Sequence, residues 1–424
     1  MTFNQIRLVD KYVGLPLCFI FSLWRKLVGR WFPREKNATP KKLLFIKLIE
    51  QGSNIITYDA IQTAKERLGD QNVYFWIFEE NKPALDLLNV LPQSQIFSVR
   101  NSNLFYFAMD ILNSLRKIWS LKIDCVVDLE FFARAPALLT YLTGAAIRVG
   151  CHRYTSEGPY RGDLMTHRVQ YNFYMHTSKF FRLLLEAAFQ NPSDTPLVKE
   201  NLEKINIRLG KFDCHADEEM RLRRILETER KDIFKGPIVL LNANASDMIP
   251  IRKWESKKYL ELGRRIMEAY PNSTIVLTGA PSERTLIDGL CHEFNSNRVI
   301  SMAGKTSFRE LIILYTLADL LVTNDSGPSH FSSLTDIHTI TLFGPETPQL
   351  YAPLGQGKKF IWSQLACSPC VNVFNHRFTP CTNNRCMQSI KVDQVFAMVQ
   401  ESMAERGIQA VSENSDSQRS LQFS

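Results

Sequence analysis

The sequence predicts an α/β protein of two doubly wound, Rossmann-like domains facing a cleft, preceded by a basic amphipathic extension. Three observations carry this. Short apolar runs of strand length alternate with longer segments of helical period, in two successive series. A turn-rich stretch at 191–196 (NPSDTP) marks the approach to a boundary between them. The chain's 424 residues suffice for two domains, each with its own core. The expected division is 1–40 for the extension, 41–212 and 213–406 for the two domains, and 407–424 for a polar, disordered tail.

The extension comes first. Residues 12–24 (YVGLPLCFIFSLW) are apolar, but fall well short of the ~20 needed by a bilayer-spanning helix, and Gly14 and Pro16 interrupt them. Arg25, Lys26, Arg30 and Arg34 follow, interleaved with Leu27, Val28, Trp31 and Phe32, a mixture suited to an anionic membrane surface. No small-residue cleavage site follows the apolar core, so a signal peptide is disfavoured. An interfacial anchor is preferred over a helix packed on the protein's own body. Charge points the same way: of the net +8, seven units lie in residues 1–42, where nine basic residues face two acidic ones. The remainder is close to neutral, which argues against nucleic acid as a partner.

In the first domain, 43–48 (LLFIKL) reads as a strand covered on both faces. Glu50-Gln51-Gly52-Ser53-Asn54 forms a turn into a helix. Further strands are expected at 73–78, 96–99 and 125–129, and helices near 84–88, 104–119 and 135–142. Residues 148–168, rich in His, Arg, Tyr and Gly, read as a loop able to meet a polar acceptor or simply to be solvated. A helix carrying His176 is expected over 171–188. In the second domain a charged helix at 216–234 precedes strands at 238–241, 274–278, 298–302, 320–323 and 339–343. Helices at 256–270, 282–294 and 307–318 alternate with them.

The chemistry centres on 320–331 (LLVTNDSGPSHF), a buried strand that stops at a polar turn and enters a short helix. Asp325, Ser326, Gly327 and His330 combine exposed backbone N–H groups, a hydroxyl, close approach and an imidazole, which suits a nucleotide phosphate. Arg252 and Lys253, just beyond the strand that ends at Asn242, are the basic candidates; taken alone they read more often as solvated surface charges, and their place at a strand's carboxyl end makes the two readings about even. There is no Walker loop, GxGxxG, HExxH or DxD, so a catalytic metal has no obvious seat. Nine cysteines, an odd number, suggest a reducing compartment. Four of them, Cys367, Cys370, Cys381 and Cys386, cluster at a spacing that permits a structural tetrahedral zinc site, with paired thiols or disulfides as the alternative.

Asp325-Ser326-Gly327-Pro328 with His330, then Leu342-Phe343-Gly344-Pro345, resembles the C-terminal signature of glycosyltransferase family 9, the lipopolysaccharide heptosyltransferases and relatives. The resemblance runs from about Leu43 to Val399 and is strongest in the second half. It implies a GT-B fold and an inverting, metal-independent transfer from a nucleotide-diphosphate sugar to a lipid-linked or envelope saccharide, on the inner face of the cytoplasmic membrane. The N-terminal domain would then bind the acceptor and the C-terminal domain the donor. It also implies that Arg252 binds donor phosphate and that Glu283, in the turn Gly279-Ala280-Pro281-Ser282-Glu283, holds a nucleoside hydroxyl. Gly304-Lys305-Thr306-Ser307 resembles a further family stretch. The family's catalytic acid follows a glycine after the first strand, and here Gly52 is followed by Ser53, which cannot serve as base near neutral pH.

Glu50, on the same turn, is the expected substitute, tuned by Lys47 or by a helix N-terminus. Asp128 and Glu130, at the end of a later strand, are further acids on the acceptor side, together with Gly52, Ser53 and His176. A non-catalytic sugar-nucleotide-binding or scaffold protein is the rival reading, motivated by Ser53. An epimerase acting on a sugar nucleotide without an acceptor is a third.

Overall fold

The computed structural model describes residues 7–31, 39–199, 201, 204–245 and 249–411. Arg34, Phe32 and most of the tail expected to be disordered lie outside the described residues. The chain forms two compact units. Unit 1 is Met1–Gly210 with Gln349–Tyr351 and Cys370–Pro380; unit 2 is Lys211–Pro348 with Ala352–Pro369 and Cys381–Ser424. Each is built on a six-stranded parallel sheet.

In unit 1 the strands are β1 (Leu43–Ile46), β2 (Val73–Phe78), β3 (Ile96–Val99), β4 (Cys125–Asp128), β5 (Ile147–Cys151) and β6 (His167–Val169), in the order β3-β2-β1-β4-β5-β6. Buried apolar runs such as Leu43–Ile46 form the middle because both sheet faces are covered. The helices are α1 (Leu15–Trp31), α2 (Gln51–Ile55), α3 (Tyr58–Leu68), α4 (Lys82–Leu88), α5 (Leu104–Leu121), α6 (Arg134–Leu142) and α7 (Thr177–Ala187). Leu115 and Ile118 of α5 and Leu139 of α6 share one core with Leu44, Trp76 and Val126 of the sheet.

Unit 2 repeats the topology. Its strands are β7 (Ile238–Asn242), β8 (Thr274–Leu277), β9 (Val299–Ser301), β10 (Leu320–Asn324), β11 (His338–Phe343) and β12 (Lys358–Trp362), ordered β12-β11-β10-β7-β8-β9. Its main helices are α8 (Ala216–Glu229), α9 (Ser256–Ala269), α10 (Arg284–Phe294), α11 (Phe308–Leu317), α12 (Gly327–Phe331) and α13 (Val392–Glu405). Trp254 is fully buried, and its indole N–H donates to the Ile390 carbonyl at 3.0 Å, tying the β7–α9 turn to the segment before α13.

Three expectations need correction. The stretch 148–168 is not a single loop: β5 and β6 are cut from its ends. Arg148, in the middle of β5, is buried and satisfied by the carbonyls of Ala145 and Leu164 at 2.5 and 2.8 Å, so a charged residue concealed a strand. His176 does not ride on the helix but precedes it. Its Nδ1 accepts from the Ser178 N–H at 3.3 Å, which caps α7 and delays its start to Thr177. Strand β12 lies at the sheet edge, where half-buried residues starting Lys358-Lys359 blur the apolar signal, and it was not anticipated.

Candidate functional site

Both sheets have an order in which the strand sequence reverses beside the first strand, and ligands of open α/β sheets gather at the carboxyl ends next to that reversal. In unit 1 this point lies between β1 and β4, where Ile46 pairs with Asp128. In unit 2 it lies between β7 and β10, where Asn242 pairs with Thr323.

At the unit 1 point, Glu50 adopts φ +70°, a conformation that costs a non-glycine residue about 1–3 kcal/mol. The following turn holds it there. Its carbonyl accepts from Asn54 N–H at 3.2 Å, Asn54 Nδ2 at 3.1 Å and Ser53 Oγ at 3.0 Å. The Ser53 hydroxyl is also 3.2 Å from Glu50 Oε2. Arg377, from the segment that returns to unit 1, pairs with Glu50 Oε1 and stacks 5.0 Å from the Tyr351 ring centroid. Lys47, wholly buried, donates to Glu130 Oε2 at 3.1 Å and to the Ile49 carbonyl at 2.7 Å, with Glu50 Oε2 at 3.8 Å.

The three acids are not equivalent. Asp128 pairs with buried Arg161 and accepts the Glu130 N–H, while Glu130 also receives the N–H groups of Leu48 and Ile49 at 2.6 and 2.8 Å. Burial pushes both carboxyls above the usual carboxylate range, opposed chiefly by Arg161 at Asp128 and by Lys47 at Glu130. The Glu50 side chain retains 13% exposure, against 5% for Glu130 and none for Asp128. Glu50 is therefore the acid of this group that a solute can reach. His176 serves as a helix cap, 2.8 Å from the Ser178 hydroxyl.

At the unit 2 point, Arg252 is buried between two carboxylates, Glu346 at 3.2 Å and Asp325 at 3.4 Å. Asn324 fastens the turns around it: its side-chain oxygen accepts from Trp254 N–H at 3.0 Å and its amide donates to the Asn244 carbonyl at 2.9 Å. Two buried N–H donors, Arg252 Nε and Asn244 Nδ2, have no hydrogen-bond partner among the described residues. Such groups carry a desolvation cost of about 1–3 kcal/mol until something accepts from them. Ser326 stands at the N-terminus of α12 with its hydroxyl 3.1 Å from the Asn324 carbonyl, and Gly327 and His330 lie on that helix.

Other expected residues make local contacts. Asn242 donates to Thr278 Oγ1 at 3.1 Å, joining two strand ends. Glu283 accepts the Ala280 N–H at 2.7 Å within its own turn. Lys305 pairs with Glu229 at 2.6 Å, and Ser307 caps α11. Lys253 is half-buried beside Arg252. Among the described residues no group of three or more His, Cys, Asp or Glu is placed to hold a metal ion. Cys386 is buried beneath Gly344, whereas Cys367 is exposed.

Sequence reasoning missed Arg377, Arg161, Asn244, Asn324 and Glu346. Glu346 directly follows the Gly344-Pro345 pair and was open to notice. Arg377, distant in the chain from Glu50, left no local signal.

Paired parallel sheets of this order, each with polar groups converging at its reversal point, define a GT-B-type protein. The family model of glycosyltransferase family 9 (heptosyltransferase) matches residues 115–377, and the chain belongs to that family. A lipooligosaccharide heptosyltransferase 2 of Campylobacter jejuni is 24% identical over 182 residues, 40% of this chain and 54% of that protein. The chain thus spans about half the length of that curated relative. The fold is that of the E. coli ADP-heptose lipopolysaccharide heptosyltransferase II (TM-score 0.64, 14% identity, 86% of this chain and 99% of that one). E. coli heptosyltransferase WaaC with ADP is also similar (TM-score 0.58, 16% identity, 85% and 99%).

Proposed function

We propose that the protein is a glycosyltransferase that moves a heptose or related sugar from a nucleotide-diphosphate donor to a hydroxyl of lipopolysaccharide or another envelope glycan. The observation that carries the proposal is Glu50: a reachable carboxylate at the β1/β4 reversal, held in a strained backbone by its own turn and hydrogen-bonded by Ser53, the residue at the family's acid position.

In this reaction Glu50 accepts the proton of the acceptor hydroxyl as that oxygen forms its bond to the sugar's anomeric carbon. The bond from that carbon to the diphosphate breaks on the opposite face, so configuration inverts. Arg252, whose buried Nε–H lacks a partner among the described residues, Asn244 and the N-terminal turn of α12 at Ser326 and Gly327 receive the departing diphosphate charge. Lys253 adds a second cation, His330 a polar contact, and Glu283 a hydrogen-bond acceptor for a nucleoside hydroxyl. The charge is met by protein groups, and no step calls for a metal. The donor belongs with unit 2 and the acceptor with unit 1, and the site of action is the cytoplasmic face of the inner membrane, approached through the N-terminal segment.

The test begins with binding. Thermal unfolding is followed with ADP-, GDP-, UDP- and CDP-sugars, because a ligand specific to the native state raises its apparent stability. The donor so identified is then supplied with lipopolysaccharide core acceptors, and nucleoside diphosphate release is measured for the native protein and Glu50→Gln. Acceptor-dependent release that vanishes in the variant supports transfer. Donor binding without release from any acceptor favours the non-catalytic reading, and conversion of the donor without acceptor favours an epimerase.

A further inference from the structure

Helix α1 is inverted relative to an ordinary surface helix. The side that α1 and the turn before it press against the rest of unit 1 buries Gly14, Cys18 and Ser22, with the half-buried Phe21 ring 5.6 Å from that of Tyr141. The opposite side carries Tyr12, Phe19, Ile20, Leu23, Trp24 and Leu27, each more than half exposed. These positions recur at helical spacing and form one stripe.

The docking is specific. Asp10, in the π-helical turn Asp10–Gly14 leading into α1, accepts the N–H groups of Arg134 and Ala135 at 2.8 and 3.1 Å and pairs with the Arg134 guanidinium at 2.9 Å, so it caps α6. Ser22 Oγ accepts the Asp163 N–H at 2.7 Å, and Arg25 pairs with Asp163. A Cβ at Gly162 would stand 2.8 Å from the Cys18 carbonyl, so the close approach depends on that glycine. The helix is thus built into the unit while its apolar stripe faces outward.

The apolar surface continues beyond α1. Helix α6 lies between α1 and α5: Cys18 packs with Ala137 and Leu138, while the Trp119 indole of α5 donates to the Leu142 carbonyl at 3.2 Å. Leu104, Phe105, Met109, Leu112 and Trp119 of α5 are exposed as well. Exposed Lys11, Lys26, Arg116, Lys117 and Lys122 accompany these two apolar sets. The turn and the three helices contain two carboxylates, Asp10 and Asp110, and both are paired with arginines. No described helix is long and apolar enough to cross a membrane.

We infer that α1 and α5, bridged by α6, form one membrane-seating face of unit 1 that lies on an anionic lipid surface with its aromatic and aliphatic side chains in the headgroup region. Charge decides the occupant: apolar bulk with basic residues and no unpaired acid on these helices complements acidic headgroups. The inference rests on the membrane-associated reading above and extends it, from a terminal anchor to a rigid face that includes a helix far along the chain.

The test is flotation of the full chain with vesicles of phosphatidylcholine alone and with added phosphatidylglycerol, in low and high salt. No donor or acceptor is present. The expected result is preference for anionic vesicles, weakened by salt. Phe105→Glu/Met109→Glu in α5 and Phe19→Glu/Trp24→Glu in α1 should each weaken binding by about tenfold or more, since charge replaces buried apolar area. Near-ultraviolet circular dichroism and thermal unfolding confirm that these exposed-site variants fold. If only the α1 pair loses binding, the shared face is overturned and the terminal anchor stands. If neither pair does, or the native chain ignores vesicles, both readings fail. Self-association in light scattering that both pairs abolish, without vesicle binding, would assign the face to a second copy and overturn the inference.

Discussion

The hydroxyl of Ser53 lies 3.2 Å from Oε2 of Glu50, so the residue after Gly52 supplies a hydrogen bond to the neighbouring carboxylate. Glu50→Gln keeps the shape of the turn but cannot take a proton, and kcat should fall by about 10²–10⁴-fold with KM nearly unchanged. Ser53→Ala removes only the supporting hydrogen bond, and a loss of less than about tenfold is expected. Ser53→Asp sets two carboxylates side by side; repulsion should raise the pKa of the pair and move the acid limb of the pH–rate profile upward. Near-native turnover by Glu50→Gln would remove Glu50 from the chemistry.

Arg377 pairs with the other oxygen of Glu50, and a guanidinium this close favours the ionised carboxylate. It is a positioning residue for the proposed base. Arg377→Met should therefore shift the acid limb of kcat/KM to higher pH. The sign follows from the lost cation, because Glu50 then holds its proton to a higher pH. A role confined to packing on Tyr351 would lower the melting temperature and leave that limb in place.

The topology was legible because β1, β2, β4, β7 and β10 are buried runs whose period and length admit little else. Arg252 and the 325–330 turn could be named because each follows such a strand. What stayed hidden depends on partners that local patterns cannot pair. Glu50 and Arg377 are joined only by a segment that leaves unit 2 and folds onto unit 1, where Phe374 packs 5.3 Å from Phe132 and 5.6 Å from Tyr171. Lys47 stands in an apolar run because Glu130, far along the chain, neutralises it inside the core.

Arg252 serves two ends that mutation should separate. Removing it in Arg252→Ala leaves Asp325 and Glu346 buried without their guanidinium, and a destabilisation of about 3–5 kcal/mol is expected in urea unfolding. Arg252→Met combined with Glu346→Gln removes one of those carboxylates and should recover part of the stability. Neither variant restores the buried Nε–H, so the thermal shift given by the donor sugar nucleotide should remain lost in both. A double variant that binds donor normally would reduce Arg252 to a structural ion-pair partner.

Lys358 of β12 gives a pH dependence whose direction is fixed by burial. Its amine donates to the Thr335 carbonyl at 3.2 Å and to the Ile337 carbonyl, and desolvation draws its pKa down to about 7, opposed by Asp336 and assisted by Arg406. Below pH 7 the amine is protonated in both the folded and the unfolded chain, and the cost of the buried charge is present in full. Between about 7 and 10 the unfolded chain holds a proton that the folded chain has released, so stability rises with pH, by at most about 1.4 kcal/mol per unit. Lys358→Met titrates in neither state. The stability of the native protein minus that of this variant should therefore climb as urea unfolding is repeated at pH 7, 8 and 9, whatever other groups titrate in both chains. Parallel curves would mean that the amine stays charged in the fold, with the two carbonyls and nearby water solvating it well enough to offset its burial.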